Sequence, residues 1–362
     1  MSGEFNLPEL ESAHAAGRGE LLGRIVERVR RHIANEHDRE QLRPRKLLGL
    51  MTKFAMEVGN MVKPIDRGPI VSGGTLVQDD NFVVYQLYRK AQEGDTRDYR
   101  AAGALTYFPA GLNLRIEPFL KRTQSIESYV RQRAVNHPGT VACIDGPTFR
   151  LRQLGQILED HPGYASYLMS RHPLATEAEV PSDWLMINGQ EMVPMHGSEG
   201  HQRGAIYQPR SGAAVILSEH EAVAMKDAGE LREGIVLGTP GFLTLTTDSD
   251  ELASISVALN GRIQNYSAFA ELYGDNDTLY GYIYLNLQRL TLEEFHSVLS
   301  GYADCILEQQ GTKDKTMRAV LLELEDSMAI VIKDGKPVKA GQDPESSSHT
   351  RNFHLILEHS GS

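Results

Sequence analysis

An α+β fold is the class this sequence predicts, and three observations carry the prediction. Residues 19–36, "GELLGRIVERVRRHIANE", set Leu21, Leu22, Ile25, Val26, Val29 and Ile33 at the spacing of one apolar stripe on a helix. From about residue 69 the texture changes to short runs of β-branched and aromatic residues broken by Gly, Pro and Asp. Near the C-terminus, the helical pattern "LEEFHSVLSGYADCILEQQ" is set among the strand patterns "LYGYIYLNL", "MRAVLLELE" and "SMAIVIKDG".

Three regions follow from these textures. Residues 1–65 read as an N-terminal helical arm or hairpin, because a second apolar run, "LLGLMTKFAMEVGNMV", follows "RPRK" and closes at Pro64 and Gly68. Residues 66–235 read as a β-rich central region with interleaved helices. Its strands are expected at "PIVSGG", "NFVVYQLY", "GALTYF", "LNLRIEP" and "GTVACI", and its helices at "FLKRTQSIESYVRQRAV" and "TFRLRQLGQILED". "DWLMINGQEMVPM" is a hairpin pattern, since Asn188-Gly189 supplies the two positive-φ residues of a type I′ turn; Asn260-Gly261 in "ASISVALNGRIQNYSAF" repeats the signal.

Residues 236–362 read as a β-α-β-β unit with a returning terminal strand. Thr291 and Glu294 have capping-box spacing, and Leu292, Phe295, Val298, Leu299, Tyr302, Ile306 and Leu307 form the apolar stripe of the helix they start. "KAGQDPESSSHT" is a polar linker near 340–350, after which "RNFHLILEH" alternates as a last strand.

Composition narrows the class of function. Hydrophobic residues make up 41% and charged residues 23% of the 362-residue chain, and no run approaches the roughly 18 apolar residues that a membrane span needs. No secretory signal precedes the first helix, and two distant cysteines, Cys143 and Cys305, suit a reducing compartment, so a cytoplasmic protein without a membrane partner is expected. A net charge of -11 repels phosphate backbones at long range. Within that acidic chain Arg24, Arg28, Arg30, Arg31, Arg39, Arg43, Arg45 and Lys46 make the N-terminal arm locally basic.

The candidate sites are few. "VPMHGSEGHQRGAIY" places His196, Glu199 and His201 among glycines. Two histidines five apart are separated by about 140° on a helix and face opposite ways on a strand, so one ion could be shared only through a loop. A further ligand would have to come from Glu219, His220 or Glu221 in "LSEHEA"; the metal candidates are His196, His201 and His220. The acid-rich turns "DSDE" and "GDND" have oxygen ligands for Ca²⁺ or Mg²⁺ but also the ordinary residues of turns. "VSGGTLVQDDNF" puts a glycine pair before Asp79 and Asp80, but adjacent acids on a strand point apart, and a hairpin turn is the simpler reading. Cys143 lies in apolar "TVACI" and reads as buried and inert.

Gly-x4-Gly-Lys-Ser/Thr, Gly-x-Gly-x-x-Gly and Gly-x-Ser-x-Gly are all missing, so neither a cofactor nor a catalytic residue is assigned. Tyr280, Tyr282 and Tyr284 alternate along one strand, opposite Ile283, Leu285 and Leu287. Such a face stacks bases in sheet-type RNA binders, and elsewhere is a second packed face or a protein interface. The function expected is therefore a non-enzymatic cytosolic structural or scaffolding protein that self-assembles or docks a protein partner through a basic helical arm and an acidic body. Arg24, Arg28, Arg31, Arg43, Arg45, Lys46 and the three tyrosines are its binding residues. Two alternatives stand beside it: a nucleic-acid-binding protein using the basic helices and the tyrosine face, and a metal-dependent hydrolase or transferase centred on the His196/His201 loop.

Overall fold

The computed structural model describes residues 70–90, 99–118, 126–147, 149–171, 173, 176–181, 183–195, 202–259, 264–322, 329–340 and 353–359. All of them belong to one compact unit, Ile65–Ser362. The basic arm and the hairpin assigned to 1–65 lie outside the described residues, as do His196, His201 and the Asn260-Gly261 turn.

The α+β class holds: antiparallel sheets are interleaved with helices. Strands β1 (Ile70–Asp79), β2 (Phe82–Lys90), β3 (Tyr99–Pro109) and β4 (Leu112–Pro118) come first. Helix α1 (Ile126–Asn136), β5 (Thr140–Asp145) and β6 (Phe149–Gln153) follow, then α2 (Leu154–Asp160), α3 (Pro162–Arg171) and β7 (Glu177–Pro181). Next are β8 (Leu185–Ile187), β9 (Gln190–Val193), β10 (Gly204–Gln208), β11 (Val215–Ser218), α4 (Glu219–Asp227), β12 (Ile235–Thr239) and β13 (Phe242–Leu243). The chain ends with α5 (Ser249–Ala258), β14 (Gln264–Gly274), β15 (Thr278–Leu290), α6 (Leu292–Gln309), β16 (Thr316–Leu321), β17 (Ala329–Lys333), β18 (Lys336–Ala340) and β19 (Phe353–His359).

A first sheet has seven strands in the order β1-β2-β3-β15-β14-β16-β13. The second is β11-β10-β12-β8-β9, the third β18-β17-β5-β19-β4, and β6 pairs with β7 alone. The pairings β3 to β15, β5 to β17 and β4 to β19 bring segments from 66–235 and 236–362 into common sheets. β19 is the returning strand: it inserts between β4 and β5, and all six of its residues from Phe353 to Glu358 are buried.

The period of two along each strand explains the layers. One face of the first sheet, with Phe82, Phe108, Phe269, Tyr282, Tyr284 and Val320, shares a core with inward residues of the second and third sheets and with α2 and α3. The opposite face, with Leu105, Ile283, Leu285 and Leu287, packs under α5 and α6. Helix α4 covers the outer face of the second sheet around Trp184 and Ala222, while α1 covers that of the third around Val130 and Cys143.

Local sequence sets several boundaries as expected. Thr291 and Glu294 form a capping box at α6, and Asn188 (φ 49°) with Gly189 (φ 77°) turns β8 into β9. Other expectations are corrected. "ASISVA" is not a strand leading into a hairpin: it lies in α5, started by a capping box between Asp248 and Glu251 and held by buried Leu252 and Ile255. The acids of "DSDE" are thus helix-capping groups. In "VSGGTLVQDDNF" the glycine pair lies within β1, where the register slips, and the turn is at Asp80-Asn81, with Asp79 accepting from the Asn81 N–H at 3.2 Å. Asp275 of "GDND" likewise accepts the backbone N–H groups of Lys313 and Asp314 at 2.9 and 2.8 Å, tying the β14–β15 turn to the start of β16.

Candidate functional site at the start of helix α4

Helix α4 begins where the second sheet meets the first. Ser218, its N-cap, accepts from the Glu221 N–H while the Glu221 carboxylate accepts from the Ser218 N–H at 2.8 Å. The strand before it is pinned: the Glu219 N–H donates to the Arg203 carbonyl at 2.9 Å, and Gly204 pairs with Ser218 on one side and Thr239 on the other. A side chain at Gly204 would strike Val320 of β16 and Thr239, so glycine lets β10 approach the first sheet this closely.

A recess of about 240 Å³, including space open to solvent, lies beside this helix start and is lined by Asp183, Trp184, Met195, Arg203, Glu219 and Thr239 among others. Arg203 stands 3.7 Å from Asp183, longer than the roughly 2.7–2.9 Å of a strong charge-assisted hydrogen bond. Trp184 is 1% exposed and donates its ring N–H to Glu191 at 2.9 Å; Lys226 of α4 shares that carboxylate and lies 5.5 Å from the indole centroid. Burial pushes the Glu191 pKa up, but Lys226, the indole and the Met195 backbone outweigh it and hold the group below the usual carboxylate range.

Behind α4 runs a second polar chain. Arg318 on β16 pairs with Glu221. On the neighbouring strand, directly opposite Arg318, sits Glu271, only 2% exposed. Its carboxylate accepts the Ile216 N–H of β11 at 3.2 Å and the Tyr273 hydroxyl at 2.9 Å, so one side chain on the first sheet satisfies the edge of the second. Burial lifts its pKa to about 7, against the opposing pulls of Tyr273, Ile216 and Arg318. The Glu221 carboxyl, by contrast, stays below its ordinary range because Ser218 and Arg318 outweigh burial.

Of the residues singled out in the sequence, His220 is on α4 and exposed. It belongs to no group of three or more His, Cys, Asp or Glu able to hold a metal among the described residues. Glu221 is occupied by Ser218 and Arg318. The single tyrosine face is also corrected. The β14–β15 register slips by one at Tyr280, so Tyr280 packs on the α6 side of the sheet while Tyr282 and Tyr284 enter the core between sheets. Tyr282 is 2% and Tyr284 0% exposed, and Tyr282 stacks on Phe269 at 5.5 Å and donates to the Leu112 carbonyl at 3.2 Å. Base stacking needs open ring faces, and these two rings have none. Cys143 is fully buried, with burial and Asp145 pushing its thiol pKa up, which suits an inert side chain.

Sequence reasoning missed Glu271, Arg318, Asp183 and Arg203. The signal for Glu271 was present: a lone acid inside the apolar run "SAFAELYG" has to be buried with partners or neutralised.

No family model and no curated protein matches this chain. Similar solved structures include the catalytic domain of zebrafish N-acetylglucosamine-1-phosphodiester alpha-N-acetylglucosaminidase auto-inhibited by its pro-peptide, at 9% identity and a TM-score of 0.39, covering 84% of this chain and 93% of that one. A hypothetical protein from Synechocystis is similar at 10% identity and a TM-score of 0.35, covering 81% of this chain and 64% of that one. Among the described residues no helix is long and apolar enough to cross a membrane.

Proposed function

We propose that this chain is a cytoplasmic, non-enzymatic scaffolding protein whose basic N-terminal segment docks on the acidic body of a neighbouring copy or of a protein partner. The division of charge along the chain carries this reading. Residues 1–64 contain eleven Lys/Arg and nine Asp/Glu, a net of +2, so the remaining residues carry -13 of the chain's -11. Arg24, Arg28, Arg31, Arg43, Arg45 and Lys46 fall in the positive part. Opposite fields of this kind steer association and fix its register.

Sedimentation of the full chain across concentration and salt tests the proposal. Assembly is expected at low salt and should weaken as screening shortens the range of the charges to about 8 Å near physiological ionic strength. Reversing Arg24, Arg28, Arg31, Arg43 and Arg45 to Glu should abolish it. A monomer at every concentration in low salt overturns self-assembly. RNA or DNA retained by the parent and lost in the reversed variant would replace the protein partner by nucleic acid, and a stoichiometric metal lost on His196→Ala would point to the metal-dependent reading.

A further inference from the structure

The polar chain behind α4 has one cation between two carboxylates. Glu271 and Arg318 are a directly opposed cross-strand pair, an arrangement that places Cβ atoms about 4.5–5.5 Å apart on the same face. The guanidinium nevertheless pairs with Glu221, in the first turn of α4. The groups around Glu271 are Tyr273 on its own strand, Tyr282 opposite it on β15, Arg318 on β16, the Ile216 N–H on β11 and, through Arg318, Glu221 on α4. Arg318 is the only cation in that set, so a charge on Glu271 competes directly with Glu221 for it.

We propose that Arg318 is a proton-controlled latch: it ties α4 to the first sheet through Glu221 while Glu271 is protonated, and is drawn back towards Glu271 when that carboxyl ionises. The consequence falls on the recess, because Glu219 and Ala222 of α4 line it and Lys226 of α4 faces Trp184. Ionisation therefore loosens the helix that forms one wall of the recess. The latch stands independently of the assembly reading, since it rests on contacts within one chain.

Trp184 is the sole tryptophan and a built-in reporter. Its fluorescence in the full chain, followed from about pH 5.5 to 8.5, is expected to change with a midpoint of about 7. Glu271→Gln should flatten the curve. If that variant does not fold, Tyr273→Phe decides: losing a hydroxyl that favours the carboxylate should move the midpoint upward, and an unmoved midpoint overturns the latch. A flat parent curve overturns it as well. So does an inflection that survives Glu271→Gln.

Discussion

Glu271 and Arg318 face each other across β14 and β16, yet the guanidinium is spent on Glu221 of α4 and the carboxylate on the Ile216 N–H of β11. Two neighbours that could have formed one closed ion pair instead reach outward and tie the first sheet to the second sheet and its helix. The arrangement leaves a buried carboxylate whose neighbouring cation is paired elsewhere, and its burial sets the direction of its titration.

Stability should therefore fall as pH rises through the window of Glu271. Its folded pKa is lifted to about 7 from an ordinary 4.5. Between those values the unfolded chain gives up the proton and the folded chain keeps it, so the folded state loses ground on the order of 3 kcal/mol by pH 8. Glu271→Gln cannot titrate. Urea unfolding of parent and variant at pH 4 and pH 8 should show the variant gaining by about that amount at the higher pH. An equal offset at both pH values would refute the buried-acid assignment.

Tyr284→Ala separates a core residue from a binding residue. The ring is 0% exposed between the first sheet and its neighbours, and truncating a buried aromatic costs about 3–5 kcal/mol. Denaturant midpoints should drop accordingly. A variant as stable as the parent but defective in retaining nucleic acid would instead restore the stacking role.

The sequence made the large elements legible because their periodicities are local. The α6 stripe, the Asn188-Gly189 turn and the last strand "FHLILEH" each follow from spacing within a dozen residues. The α5 segment misled because "SISVA" is β-branched, and the Asp248/Glu251 cap with Leu252 and Ile255 prevailed over that propensity. Tyr280 misled because strict alternation assumes an unbroken ladder, and one slipped residue opposite Leu272–Tyr273 moved it to the other face. The polar network was hidden for a different reason: Glu271, Ile216, Arg318 and Glu221 come from four elements, and only the register of β14 on β16 and the packing of β11 bring them together.

A helix cap and an ion site make different demands on "DSDE", and Asp248→Ala distinguishes them. Asp248 accepts from the Asp250 and Glu251 N–H groups, both at 2.9 Å. Losing that cap should cost about 1 kcal/mol. Melting curves with and without millimolar Ca²⁺ should differ little for the parent chain. A Ca²⁺-dependent rise in Tm that disappears in Asp248→Ala would reinstate the cation site.

The third sheet holds a denser ionic knot, and its response to single and paired substitution is predictable. Arg133 of α1, with its side chain 7% exposed, donates to Glu358 of β19 at 3.0 Å and also pairs with Glu117 of β4. Tyr129, one turn earlier on α1, donates to the other Glu117 oxygen at 2.5 Å, and Arg115 meets Glu358 at 3.0 Å from the exposed side. Burial pulls the Arg133 pKa down and Glu358 opposes it, the pattern of a cation held in place by its partners. Arg133→Met would leave the Glu358 carboxylate, 6% exposed, with only a half-exposed arginine, so about 3–5 kcal/mol should be lost. Glu358→Gln in the Arg133→Met background removes the stranded charge and should recover part of that loss, giving a coupling of about 0.5–3 kcal/mol in a double-mutant cycle. Arg133→Lys should not substitute, because one ammonium cannot span two carboxylates on separate strands as the guanidinium fork does. Because the knot is buried, raising salt should leave the coupling nearly unchanged, unlike that of the exposed pair Glu127–Arg131 on the same helix. A coupling near zero, or one that vanishes with salt, would mean that α1 is held by its apolar contacts to Cys143, Ile330 and Ile356 and not by the arginine.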